Sequence, residues 1–271
     1  MSILKVNNLS KSFGGIKAVT DISLTVEDGQ IVGVIGPNGA GKTTFFNLLT
    51  GIYTPTSGEI IYELNKKVTS KNLKPSKMAH YGVARTFQNI RLFQNMSVLD
   101  NVLLGFHNSL KYGIISSLFR LPSFYKEEKK VYEEALMLLD KFNLSDKKDE
   151  LAKNLSYGDQ RRVEIARALA SKPKLLLLDE PAAGMNPNET KELTEMIKWI
   201  RETFNLTIIL IEHDMSLVMG ICENIFVFDY GKLIASGTPE EIQNNEKVIK
   251  AYLGDTNLDD SANDEKIEIA K

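Results

Sequence analysis

The sequence predicts an α/β protein whose core is interrupted by a helical segment. Three observations carry that expectation. Short apolar runs at residues 31–35, 175–178, 207–211 and 225–228 have the continuous hydrophobicity of strands buried on both faces, and helical stretches separate the later ones. The first run leads directly into the glycine-rich residues 36–44, then into a helical pattern through Phe45, Leu48 and Leu49. Between the first two runs, Val131, Ala135, Leu138, Leu139 and Phe142 recur at helical spacing, with Lys129, Lys130, Glu133 and Glu134 on the other face.

Residues 1–87 read as strands, with loose alternation from Ile3 to Leu9 and turns at Gly14-Gly15 and Asp28-Gly29. Residues 88–154 form the helical segment. Within it Ser97 offers a capping hydroxyl with Asp100 three positions on, and residues 107–124 form an irregular insert. Thr238-Pro239-Glu240-Glu241 opens a last helix with a cap, a proline at the first turn and a capping-box acid. From Gly254 the chain is polar and acidic, the composition of a disordered tail.

The 271 residues suffice for one large domain, or for a core carrying a smaller subdomain. A formal net charge of -2 lacks the basic excess of a nucleic-acid surface, so no nucleic-acid partner is expected. The single cysteine, Cys222, excludes an internal disulfide and suits a reducing compartment. The first residues carry no signal-peptide pattern. The most apolar stretch, residues 113–119, is broken by Arg120 and Pro122 before it could span a bilayer. A chain soluble by itself is expected.

Residues 36–43 fit G-x-x-x-x-G-K-T, placed after a strand and before a helix, where the mechanism of such a loop requires it. Its glycines let backbone N–H groups turn toward phosphates, and the helix N-terminus adds its positive dipole end. Asn38, Gly39, Ala40, Gly41, Lys42, Thr43 and Thr44 are the candidate phosphate contacts. Lys42 can reach the β- and γ-phosphates, and the Thr43 hydroxyl can ligate Mg²⁺. Thr44 stands where a dinucleotide fingerprint needs its third glycine, which excludes that alternative. ATP or GTP binding follows.

The run at 175–178 ends in Asp179-Glu180-Pro181. Adjacent side chains at a strand end point to opposite faces, so the two carboxylates can take different tasks. Asp179 is placed to hold Mg²⁺, and Glu180 to polarise an attacking water as general base. Alone, the pair would be read as a solvated acidic turn; behind a phosphate loop it is not.

Leu155-Ser156-Tyr157-Gly158-Asp159-Gln160-Arg161-Arg162 resembles the signature motif of the ABC ATPases, and it lies shortly before the Asp179 strand, as in that family. The resemblance covers nearly all of residues 3–254. It implies a P-loop NTPase core with an antiparallel β subdomain and an inserted helical subdomain at about 88–154. It further implies that residues 1–254 are one ATPase domain using ATP and Mg²⁺. Phe13 matches the aromatic residue that stacks on adenine, with Val19 as a nearby apolar contact. Gln88 matches the glutamine that touches Mg²⁺ and water, and His213 the histidine that contacts the γ-phosphate. Ser156 and Gly158 match the signature residues that close on the nucleotide of a second ATPase. On this pattern the catalytic set is Glu180, His213 and Lys42, and the metal set is Thr43, Gln88 and Asp179.

Tyr157 and Asp159 replace the commoner glycine and glutamine of the signature, and Asn186 stands where aspartate is usual. Those departures, with Arg85-Thr86-Phe87-Gln88-Asn89-Ile90-Arg91 and the ending Tyr252-Leu253-Gly254, resemble the LivG-type ATPases of branched-chain amino-acid importers. Members of that kind pair with a second ATPase beneath two transmembrane permease subunits, on the cytoplasmic face of the membrane. An extracytoplasmic substrate-binding protein delivers the solute. Relatives import urea or amides, and a lipopolysaccharide exporter shares the C-terminal ending. A single cassette disfavours a translation-associated protein, the lack of a long heptad coiled coil disfavours a chromosome-maintenance ATPase, and Asn65-Lys66-Lys67-Val68 lacks the final acid of a GTPase motif. A regulatory module with degraded catalysis conflicts with intact Lys42, Asp179, Glu180 and His213.

Overall fold

The computed structural model describes residues 1–64, 66–110, 119 and 122–253. Most of the expected insert at 107–124 and the whole expected tail from Gly254 lie outside the described residues. Two sheets organise the rest. Strands β1 (Ser2–Phe13) and β2 (Ile16–Glu27) form a hairpin closed by Gly14-Gly15, with Gly14 at φ 56°, where glycine carries no steric penalty. With β4 (Ser57–Glu63) and β5 (Lys67–Thr69) they make an antiparallel sheet in the order β2-β1-β4-β5.

The second sheet has the order β10-β9-β3-β8-β7-β6. Its strands β3 (Ile31–Ile35), β6 (Val83–Arg85), β7 (Leu175–Asp179), β8 (Thr207–Ile211) and β9 (Asn224–Asp229) run parallel, and β10 (Lys232–Gly237) returns antiparallel along β9. Every residue of β3, β7 and β8 is buried, which accounts for their unbroken apolar sequence.

Pleating then sorts the side chains. Val32, Val34, Leu175, Leu177, Ile209, Ile211, Phe226 and Phe228 point into a core shared with the antiparallel sheet and with Phe45, Phe46, Leu48 and Leu49 of helix α1 (Lys42–Leu49). Their neighbours Ile31, Ile35, Leu176, Leu178, Ile208, Leu210, Ile225 and Val227 point into a second core shared with helices from residue 98 onward.

That second core extends into the helical segment. The Ser97 hydroxyl caps helix α2 (Val98–Gly105), accepting from the Asp100 N–H at 3.0 Å. Helix Pro122–Lys141 buries Val131, Ala135, Leu138 and Leu139, the stripe read from its spacing. Where α2 meets helix Tyr157–Ala170, a Cβ on Gly105 would lie 2.2 Å from the Arg167 carbonyl oxygen, so only glycine permits this approach. The Thr238 capping box is present, its hydroxyl accepting from Glu241 N–H and the Glu241 carboxylate accepting from Thr238 N–H.

Candidate active site

The chemistry-bearing residues gather at the carboxyl ends of the parallel strands, where open α/β sheets form their crevices. Strand β3 ends in the glycine-rich loop. Gly36 has φ 147°, and a Cβ there would sit 2.0 Å from the Phe228 carbonyl oxygen. Gly41 has φ 96°, and its Cβ would meet the Ala18 carbonyl oxygen at 2.5 Å. Both glycines are therefore demanded by sterics before any ligand is considered. Asn38, Gly39 and Thr43 are exposed, Thr44 is half-buried, and Ala40 is buried with its N–H donating to the Pro37 carbonyl.

Lys42 is buried at the base of this loop, its ammonium donating to the carbonyls of Gly36 at 2.6 Å and Pro37 at 3.1 Å. Burial pulls its pKa below the ordinary lysine range, and the Glu180 charge opposes the shift. The ammonium thus lies in the loop itself, within the negative field of the acid after β7.

Asp179 closes β7 and is paired in register with Ile211 of β8. Its Oδ2 accepts from Arg85 Nη2 at 2.6 Å, with both side chains under a tenth exposed. Glu180 does not continue the pleat. It lies at φ 44°, in the left-handed region, held by its N–H donating to the Ile211 carbonyl at 2.9 Å. The two acids part because the backbone turns between them, a turn that costs about 1–3 kcal/mol for a non-glycine residue. This corrects the expectation that strand alternation alone would separate them.

Gln88 Nε2 donates to Glu180 Oε2 at 2.6 Å, and His213 Nδ1 lies 3.9 Å from the same oxygen with its ring largely exposed. Next to the histidine, buried Glu212 accepts from the N–H groups of Ala182 at 2.7 Å, His213 at 3.1 Å and Asp214 at 3.4 Å. Burial pushes its carboxyl above the usual range, partly offset by those bonds. It braces the turn after Glu180 against the turn that carries His213.

Ser156 caps helix Tyr157–Ala170, accepting from the Asp159 N–H at 3.2 Å and donating to its carboxylate at 3.0 Å. Gly158 has open space around its α-carbon. The Tyr157 hydroxyl donates to the Ala183 carbonyl at 2.9 Å, giving the unusual signature residue a contact to the loop after Glu180. Asn186 caps helix Pro187–Phe204 in a capping box with Glu189.

Phe13 is partly exposed and packs edge-on to Tyr53, with ring centroids 5.0 Å apart. Val19 is fully buried among core side chains, so the structure does not bring it to the surface that Phe13 offers.

Sequence reasoning passed over Arg85, Arg161, Glu164 and Glu212. Arg161, 1% exposed, donates to Glu164 at 2.7 Å and to the carbonyls of Phe87 at 2.9 Å and Gln88 at 3.1 Å. Glu164 in turn accepts from the Arg91 N–H at 3.0 Å. Arg161 and Glu164 lie one helical turn apart on a face otherwise apolar, a placement that could have marked them as a buried pair.

Comparison with known proteins agrees with this geometry. The ABC transporter family model matches residues 19–183, and the model for branched-chain amino acid ATP-binding cassette transporters matches residues 232–256. The high-affinity branched-chain amino acid transport ATP-binding protein LivG of Salmonella typhimurium is 49% identical over 93% of this chain and 98% of its own. BraF of Pseudomonas aeruginosa, of the same description, is 47% identical over the same shares. The crystal structure of an ATP-binding cassette of an ABC transporter in its ADP conformation superposes with a TM-score of 0.80. It is 34% identical, covering 94% of this chain and 99% of its own. The chain belongs to the ABC transporter family, as one of its ATP-binding cassettes with the P-loop α/β fold and the ATPase class of that family.

Proposed function

We propose that this chain is the ATP-hydrolysing subunit of an importer of branched-chain amino acids. The observation that carries the reading is the convergence of Lys42, Asp179, Glu180, Gln88 and His213 at one end of the parallel sheet. The C-terminal match and the branched-chain names of the relatives support the solute class.

In this reading adenine stacks on the exposed face of Phe13, and Val19 supports that strand from below. The phosphates enter the loop of Asn38, Gly39, Ala40, Gly41, Lys42, Thr43 and Thr44, whose N–H groups face them. Lys42 exchanges the Gly36 and Pro37 carbonyls for phosphate oxygens. Thr43, Gln88 and Asp179 offer a hydroxyl, an amide oxygen and one carboxylate, an oxygen set suited to Mg²⁺ that keeps phosphate and water ligands. Among the described residues no cluster of three His, Cys, Asp or Glu competes for a metal. Bound there, Mg²⁺ would neutralise charge on the phosphates.

Glu180 takes a proton from a water, the water oxygen bonds to the γ-phosphorus, and the bond to the β–γ bridging oxygen breaks to leave ADP and phosphate. The carboxylate has acceptor sites for that water beside the Gln88 amide, which holds Glu180 in place. His213 steadies the γ-phosphate. Ser156 and Gly158 close on the nucleotide of a second ATPase. The groove at residues 88–104 receives a cytoplasmic helix of one membrane subunit. The pair of ATPases lies beneath two permease subunits on the cytoplasmic face of the membrane, and a substrate-binding protein supplies solute from outside. No helix among the described residues is long and apolar enough to cross a membrane.

Glu180→Gln tests the reading. Hydrolysis in the assembled complex is expected to fall about 10²–10⁴-fold while an ATP-bound dimer accumulates, with uptake of leucine, isoleucine and valine lost. Full hydrolysis would remove Glu180 as base. Lost hydrolysis with normal uptake of those three, and no second copy present, would remove the solute assignment.

A further inference from the structure

Arg85 is the last residue of β6, three positions before Gln88, and nothing above gives it a function. Its guanidinium is held on several sides. Nη2 donates to Asp179 Oδ2 at 2.6 Å, and Nη1 donates to Asn47 Oδ1 at 2.8 Å and Thr50 Oγ1 at 3.2 Å. The rings of Phe46 and Phe87 lie 5.6 and 5.2 Å from its central carbon. Its Nε is buried with no hydrogen-bond partner, so the group is seated to serve its two terminal nitrogens at the expense of the third.

Asn47 and Phe46 belong to α1, which begins at Lys42 and Thr43, and Thr50 follows that helix directly. Arg85 therefore ties the helix that opens with the phosphate-loop lysine to the carboxylate that ends β7. The pair engages only Oδ2 of Asp179, and among the described residues no donor reaches Oδ1.

We propose that Arg85 is the positioning residue of the metal site, fixing the Asp179 carboxylate against α1 so that its second oxygen faces Mg²⁺ shared with Thr43. The inference rests on the reading of Asp179 as the metal acid. It predicts a defect confined to metal-dependent steps. A mere structural strut would weaken the nucleotide site equally with and without metal.

The test compares Arg85→Met, Arg85→Lys and Asp179→Asn with wild type. Affinity for a fluorescent ATP analogue is measured on the isolated subunit in Mg²⁺ and in EDTA, and the Mg²⁺ requirement of hydrolysis on the assembled complex. In Arg85→Met the Mg²⁺ needed for half-maximal effect is expected to rise about 10–100-fold, the usual loss when a partner of a metal ligand is removed. Affinity in EDTA is expected to hold, and Arg85→Lys, which keeps the charge, to recover part of the loss. An unchanged Mg²⁺ requirement in Arg85→Met beside a raised one in Asp179→Asn overturns the role of Arg85 alone. An unchanged requirement in Asp179→Asn overturns the metal-acid reading and this inference with it. Equal losses in Mg²⁺ and EDTA also overturn it. Should Arg85→Met not fold, the double variant Asn47→Ala/Thr50→Val loosens the same guanidinium with its charge intact. A metal-selective loss there supports the inference, and none overturns it.

Discussion

The Gln88 side-chain amide donates to the Glu180 carboxylate at 2.6 Å, joining the loop that enters the helical segment to the acid just past β7. Glu180 sits in a left-handed backbone conformation, so the bond holds a side chain whose main chain is already under constraint.

Gln88→Ala removes that charge-assisted bond, of a kind worth about 1.5–3 kcal/mol. Turnover in the assembled complex is expected to fall about tenfold or more, while ATP affinity measured on the isolated subunit in EDTA, where no metal contact of Gln88 contributes, stays within about threefold. Affinity falling in step with turnover would show that Gln88 acts on the nucleotide and not through Glu180.

Arg161 is the second tie to the same loop, and it shares its burial with Glu164. Arg161→Ala leaves a buried carboxylate without its cation and is expected to cost about 3–5 kcal/mol of stability by denaturant unfolding. Arg161→Met/Glu164→Leu, which removes both charges and fills the space, is expected to lose less than Arg161→Ala. A double variant worse than the single would place the value of the pair in the carbonyl bonds to Phe87 and Gln88.

Asp159 is drawn in two directions. Burial raises its pKa, but bonds from Lys147 at 2.7 Å and from Ser156 outweigh it, and the group ends below its ordinary value of 3.8. A carboxyl lowered on folding contributes stability that is fully present above the unfolded pKa and is lost as pH falls through the folded one. Asp159→Asn is therefore expected to lower the melting temperature slightly at pH 7, and the gap to wild type should close as pH drops below about 4. A gap independent of pH would assign the effect to the Ser156 cap alone.

Much of the fold was legible because its signals are local. The apolar runs of β3, β7 and β8, the loop from Gly36 to Thr44, and the caps at Ser97 and Thr238 each declare themselves within a few residues. The arginine partners do not. Arg85 meets Asp179 from 94 positions away, and Arg161 reaches Phe87 across 74, distances at which neither period nor spacing gives a sign. Val19 was offered by the resemblance as an apolar contact beside Phe13, and its burial in the core could not be read from that match.

Strand β3 runs between β8 and β9 and feeds a separate core from each of its faces. It is restrained in every lateral direction, and the phosphate loop hangs from its end. The loop containing Gln88 is restrained chiefly by side chains reaching over from Arg161, Glu164 and Glu180. The two ends of the site thus differ in what holds them: neighbouring strands and two cores on one side, a few side-chain hydrogen bonds on the other. Loss of a single side chain is therefore expected to displace the Gln88 loop and to leave β3 in place.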